Sequence, residues 1–265
     1  MSLVFASGFL IPQSLKGLDY FRDLRKQYPG ALFPRVAVAG SVEARANQLA
    51  GQIEAAFPSG RIDIVAHSMG GLDARFLLSR NLRGLAARVV TLSTISTPHR
   101  GSPVADLLAG PTPLGPQRLL YDLVKRSITQ LGLPAGALGS LTIGSAMTFM
   151  QQCPDSKRVA YFAYAGGKPH SRALSASSWL IQHAGSTPDE RENDGLVSVA
   201  SAQWPGTQLA EPAWPADHLA QLGYDLDHPA SKPRFDHLAA IARVVERALR
   251  VSAPAAAQQL ALGAS

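Results

Sequence analysis

Only one cysteine, Cys153, occurs in the 265 residues of this chain. It cannot close an internal disulfide, and it lacks the cysteine partners of a thiolate zinc site. A lone thiol fits a reducing compartment. Long apolar runs are missing too. No stretch of about 18 apolar residues offers a membrane span. The opening MSLVFASGF has neither a charged first region nor a long apolar one, so no signal peptide is read there and a cytoplasmic location is expected. Aromatic residues make up only 7% of the chain. Lys and Arg outnumber Asp and Glu, 25 to 19, yet the densest basic cluster is the short RDLRK at 22–26. A nucleic-acid surface needs a basic stripe, often interleaved with aromatics, so no nucleic-acid partner is expected and the positive charge is assigned to solubility. No repeat with a period of about 20 to 50 residues is present, which excludes a solenoid.

What the chain does have is apolar content, 46% of its residues. That suffices for one large domain, read as residues 1–265. Short apolar runs at 2–9, 31–40, 61–67, 87–96 and 157–166 read as strands. Helical spacing marks 16–28, 41–57 (with Ser41 as N-cap), 69–80 and 235–251. Strand–helix alternation predicts an α/β fold, with a mostly parallel sheet of about six strands and helices on both faces. The alternation stops at 101–155, where helix-like stretches such as RLLYDLVKRSITQLG are broken by Gly and Pro. This segment is read as a helical cap or lid inserted over the sheet. Residues 167–193 read as loop, and the segment GLVSVASAQW at 195–204 follows them.

The chemistry starts at IDIVAHSMGGLDARFLL, residues 62–78. A buried strand ends at a serine, and two glycines open a helix. A serine hydroxyl is a weak nucleophile unless a base takes its proton and donors receive the oxyanion. The G-x-S-x-G turn places such a serine at a sharp strand-to-helix bend, where small residues two before and two after avoid collision. Here the five are Ala66-His67-Ser68-Met69-Gly70, with alanine in place of the first glycine. The competing reading is a turn with an incidental serine. On the nucleophile reading, the Met69 N–H is one oxyanion donor, at the positive end of the helix. The second comes from the loop after the first strand, where Phe9 follows Gly8 and is assigned the role, with Leu10 in reserve.

Several blocks then follow in a set order: AHSMGGLDARFLL, TISTPHRGSPVADLL (94–108), ALGSLTIGSAMTFMQQCP (137–154), ENDGLVSVASAQW (192–204) and DHLAQLG (217–223). The chain from residue 3 to about 225 resembles bacterial triacylglycerol lipases of the Pseudomonas and Burkholderia type. The resemblance implies an α/β-hydrolase fold, hydrolysis of carboxylic esters of small-molecule or lipid type, and a helical lid; the apolar faces of 118–132 and 141–150 read either as lipid-contacting or as packed into the protein's own core. It also implies that Asp194 in NDGLVS is the acid of a Ser-Asp-His triad. The competing reading of Asn193-Asp194-Gly195 is a simple turn.

The order Ser, acid, His excludes His67, His99, His170 and His183 as the base, since all precede Asp194. His218, His228 and His237 remain, and the resemblance selects His218. His67 and His237 are read as packing residues, and His228 as loop.

The resembled lipases also hold a structural calcium. One of their aspartate ligands falls two positions after the histidine, which is Ala220 here, and 166–188 contain no acidic residue for the other. Calcium needs several oxygen ligands, so no metal or other cofactor is expected, although Asp217, Asp225 and Asp227 are candidates for a different site. The reading is a serine ester hydrolase with Ser68, Asp194 and His218. An acyltransferase or thioesterase on the same triad, or a binding scaffold without chemistry, are the alternatives. Oligomeric state is not legible.

Overall fold

The alternating pattern builds a parallel sheet. The computed structural model describes residues 2–8, 19–38, 40–130, 138–228 and 232–252. Four strands, β1 Ser2–Ala6, β2 Ile62–His67, β3 Val89–Ile95 and β4 Ala160–Tyr164, lie side by side in that order. All three pairings are parallel. The longer helices are α1 Val42–Ala56, α2 Met69–Ser79, α3 Pro103–Ala109, α4 Gln117–Gln130, α5 Ile143–Gln152, α6 Ser175–Ala184 and α7 His237–Ser252.

Successive side chains of a strand point to opposite faces, so the sheet sorts its residues by parity. Ile62, Ile64 and Ala66 pack with Leu49 and Ile53 of α1 and Leu77 of α2. Val65, between them, joins the opposite cluster with Ile241 and Val244 of α7. β2 is buried along its whole length, as a central parallel strand covered on both faces must be. The helix ends follow local chemistry: the Ser41 hydroxyl accepts from Ala44 N–H at the start of α1, and Thr142 caps α5 in the same way.

The sheet has four strands among the described residues rather than about six. The run 31–40 makes a single bridge, in which Leu32 N–H donates to Leu3 O and Phe5 N–H donates to Leu32 O, both at 2.8 Å. Pro34, two residues on, has no N–H with which to continue a ladder. Segment 195–204 turns instead of extending, because its backbone N–H groups are committed to the Asp194 side chain. Of the helix expected over 16–28, only the turn Leu24–Gln27 forms among the described residues, although Phe21 and Leu24 are buried as the spacing required. Residues 167–193 hold α6 and the turn Pro188–Arg191, closed by a capping box between Thr187 and Glu190. The serines of SRALSASSWLIQ hid that helix: Ser177 and Ser178 are themselves buried along with Ile181.

The segment 101–155 carries α3, α4 and α5. Val104 of α3 and Val124 and Ile128 of α4 share the cluster that contains Leu3 and Phe5 of β1. The same two helices rest on α6. Among the described residues no helix is long and apolar enough to cross a membrane.

Candidate active site

Ser68 is the single residue between β2 and α2, and its backbone sits at φ 56°, ψ −134°. An L-residue adopts that region at a cost of roughly 1–3 kcal/mol and only where its surroundings over-determine it. Here they do. Ser68 N–H donates to Ile95 O at 2.9 Å, and the Thr97 hydroxyl donates to Ser68 O at 2.8 Å. Gly70 is required by space: a Cβ there would stand 2.5 Å from Ala6 O, on the backbone of β1. Gly8, after β1, is equally close, since its Cβ would lie 2.8 Å from Ser68 Cβ. The turn therefore presses the serine against the end of β1.

The structure brings His218 and Asp194 together. His218 Nδ1–H donates to Asp194 Oδ2 at 2.6 Å, and both side chains are fully buried. His218 N–H also donates to Asp194 O at 2.9 Å, so backbone and ring register together. Asp194 does lie in a turn, and the turn serves its carboxylate: Leu196 and Val197 N–H groups donate to Oδ1 at 3.0 and 2.8 Å. Burial pushes this carboxyl up, but His218 and the two N–H groups outweigh burial and hold it at about 2. The Asp217 carboxylate shapes the other loop. Its Oδ1 accepts from Leu219 and Ala220 N–H, and its Oδ2 from Ser171 N–H.

With Nδ1 engaged, His218 Nε2 is left buried with no hydrogen-bond partner. His218 lines the same cavity as Ser68. That cavity is about 30 Å³ and, apart from those two residues, is mostly apolar, walled by Val104, Ile128, Leu141 and Leu196. It has room for a water or two. Ser68 is 3% exposed, so α3, α4 and the approach to α5 shut the serine away. Met69 opens α2, and a first-turn N–H has no intrahelical acceptor. Phe9, the second expected donor, and Leu10 lie outside the described residues.

The remaining histidines have other work. The His237 ring fills the space over Gly223, and its Nε2 meets Arg22 O at 3.0 Å. His228 pairs with Asp225 at the surface. His99 contacts the Arg75 guanidinium and packs on Trp204, in a cluster closed by Asp155. His67 is buried as expected, but it packs against the His218 ring, with 4.5 Å between centroids. Its Nδ1 meets the Tyr20 hydroxyl at 2.8 Å. Sequence reasoning missed Tyr20 and Gln221. Gln221 Nε2–H donates to Asp194 Oδ2 at 3.1 Å. No motif marks either residue; only the proximity of Gln221 to the DHL block hinted at a role.

The residues present do not fit the calcium of the resembled lipases. Ala220 offers no side-chain oxygen, and the Asp217 oxygens are occupied by three backbone N–H groups. Asp225 is taken by Arg234, and Asp227 accepts from Arg172 N–H. Among the described residues no group of three or more acidic, His or Cys side chains gathers as for a metal.

No protein-family model matches the chain. It is 33% identical over 173 residues to triacylglycerol lipase 2 of Saccharomyces cerevisiae, covering 62% of this chain and 49% of that one. It is 25% identical over 231 residues to a triacylglycerol lipase of Vibrio cholerae, covering 75% and 72%. The chain thus spans about half the length of the yeast relative. Among solved structures, the Staphylococcus hyicus lipase superposes with a TM-score of 0.66 at 18% identity, over 95% of this chain and 96% of that one. The fold is the α/β-hydrolase fold. In this fold the strand-to-helix serine, the aspartate after β4 and the histidine beyond it follow one another along the chain as Ser68, Asp194 and His218.

Proposed function

We propose that this α/β-hydrolase is a serine carboxyl-ester hydrolase of lipase or esterase type. One observation carries the reading: the Asp194-bonded His218, its Nε2 buried without a partner, lines the apolar cavity that also holds the constrained Ser68. In the proposed cycle, Ser68 Oγ attacks the ester carbonyl and His218 Nε2 takes its proton. Asp194 stays ionised and balances the imidazolium. The oxyanion is received by the Met69 N–H and by a donor in the segment after Gly8, assigned to Phe9. The imidazolium then protonates the leaving alkoxide. Water next gives its proton to His218 and attacks the acyl-enzyme, and the serine leaves with that proton.

The substrate class follows from the walls. An apolar cavity favours an acyl chain, but ligand clefts are usually about 300 Å³ or more, so the cap must move before one enters. α4 buries Tyr121, Val124 and Ile128 while Leu119 and Leu123 are 69% and 49% exposed. These leucines, flanked by Arg118 and Lys125, suit contact with a lipid surface. The TPHRGS and NDGLVS blocks support kinship with the Pseudomonas and Burkholderia lipases in particular.

A fluorophosphonate probe tests the nucleophile. It should label the parent chain and fail to label Ser68→Ala, whose turnover of p-nitrophenyl butyrate should fall to background with the fold intact. Parent-level turnover by Ser68→Ala excludes the assignment. An acyl series from acetate to emulsified triglyceride then ranks esterase against lipase.

A further inference from the structure

Behind the candidate triad lies a buried row of polar groups that the proposed cycle does not use. It begins at Tyr20, whose hydroxyl meets His67 Nδ1 at 2.8 Å. Burial raises the Tyr20 phenol, so it keeps its proton and is the donor. The neutral His67 ring then carries its hydrogen on Nε2. That Nε2 is buried without a partner, and so is Gln221 Oε1. Both residues flank the Asp194–His218 pair: His67 packs on the His218 ring, and Gln221 reaches the Asp194 carboxylate. The Gln221 amide is oriented by its other end. Its Nε2 donates to Asp194 Oδ2 at 3.1 Å and lies 3.4 Å from Ala216 O, and both are acceptors only. Oε1 is therefore left as an acceptor without a donor. Space is reserved for this amide, because a Cβ on Gly166 would occupy the position of Gln221 Nε2.

We propose that Gln221 is a positioning residue for the Asp194–His218 pair, holding the carboxylate oxygen that orients His218. This rests on the hydrolase reading above. Oδ2 has two donors, His218 Nδ1–H and the Gln221 amide. The second keeps the carboxylate from swinging off the imidazole and tempers how strongly it draws the Nδ1 proton. A carboxylate without that donor is a stronger acceptor, and His218 then holds a proton to higher pH. Two titratable groups face His218 among the described residues, Asp194 through Nδ1 and His67 across the ring face. Neither is removed by a change at 221.

The test is Gln221→Leu in the full chain. Hydrogen bonds to ionised groups set a loss of about ten- to a hundredfold in kcat with KM little changed. The acid limb of kcat/KM should move up, and the low-field proton of the His218–Asp194 bond should shift or broaden in the NMR spectrum. Gln221→Glu fits the same space and donates to Asp194 while protonated. It should work near the parent rate at low pH and fall towards the leucine variant as pH rises. A folded Gln221→Leu with parental kcat, acid limb and low-field proton overturns the proposal. So does a Gln221→Glu whose activity keeps a parental pH profile, which decides the matter if the leucine variant does not fold. Failure of the hydrolase reading looks different: the parent itself does not take the fluorophosphonate. The NMR arm needs no turnover and still decides the role of Gln221.

Discussion

The rings of His67 and His218 lie 4.5 Å apart, tilted by 56°, and both are fully buried. Burial first, and then the nearness of His218, hold His67 well below the ordinary histidine value. When His218 becomes an imidazolium in the proposed cycle, its ring neighbour is neutral.

That arrangement makes stability depend on pH. His67 and His99 are both depressed well below 6.5 by burial. Unfolded, each takes a proton below about pH 6.5, and folded, each refuses it. The stability they leave intact is complete above that pH and is lost as pH falls, at up to about 1.4 kcal/mol per pH unit for each histidine. Asp194, depressed from 3.8 to about 2, adds a loss of the same sign below about pH 4. Denaturation midpoints at pH 7, 6 and 5 should therefore fall in order, and His99→Asn should flatten the slope. A midpoint constant from pH 7 to 5 contradicts the burial argument.

Gly70→Ala should fail at the elbow. The added methyl meets Ala6 O at 2.5 Å, a backbone atom of β1 that cannot step aside. Overpacking of this kind costs about 1–3 kcal/mol. Chemical denaturation should show the loss, and fluorophosphonate labelling should slow even where the variant remains folded. A variant as stable and as reactive as the parent would mean that β1 yields.

Arg45 is fully buried, joined to Asp73 at 2.7 Å, and donates to Ser7 O and Ala37 O. Burial already lifts the Asp73 carboxyl to about 7 against the pull of Arg45, so Arg45→Met forces Asp73 to take a proton or stand as a buried charge, and losses of up to about 3–5 kcal/mol follow from breaking such a pair. Asp73→Asn on that background should recover part of it, because no acid is left to be stranded. Recovery stays incomplete, since Ser7 O at the end of β1 still lacks its donor. Denaturant titration of the two singles and the double measures this, and full additivity would remove the coupling.

Leu119→Ser with Leu123→Ser should separate two kinds of substrate. Both side chains point outward from α4, away from Ser68. Turnover of soluble p-nitrophenyl butyrate should stay within about twofold of the parent, while that of emulsified long-chain triglyceride should fall by at least roughly tenfold, since the pair loses its apolar contact with the lipid surface. Equal losses on both substrates would place these leucines in the cap's own folding.

Local pattern was enough for the elements whose periodicity is complete within themselves. β2, α1, α2 and α7 follow the expected spans within a residue or two, because each carries its own alternation or its own apolar stripe. It failed where the deciding partner is remote. The 31–40 run is apolar enough for a strand, yet Pro34 limits it to one bridge with β1. α6 was invisible because its serines are polar in composition and buried in fact.

By itself, the sequence determined the sharp turn at Ser68, since a serine among small residues between a strand and a helix is a local constraint on backbone space. It also determined the order of Ser68, Asp194 and His218 along the chain, which the proposed triad requires. Tertiary structure alone decided that His218 and Asp194 meet at 2.6 Å, that Gln221 reaches the same carboxylate, and that the cap closes over the serine. Those depend on loops of distant sequence brought together by the packing of the sheet, and the energy that joins them is shared among contacts that no short stretch contains.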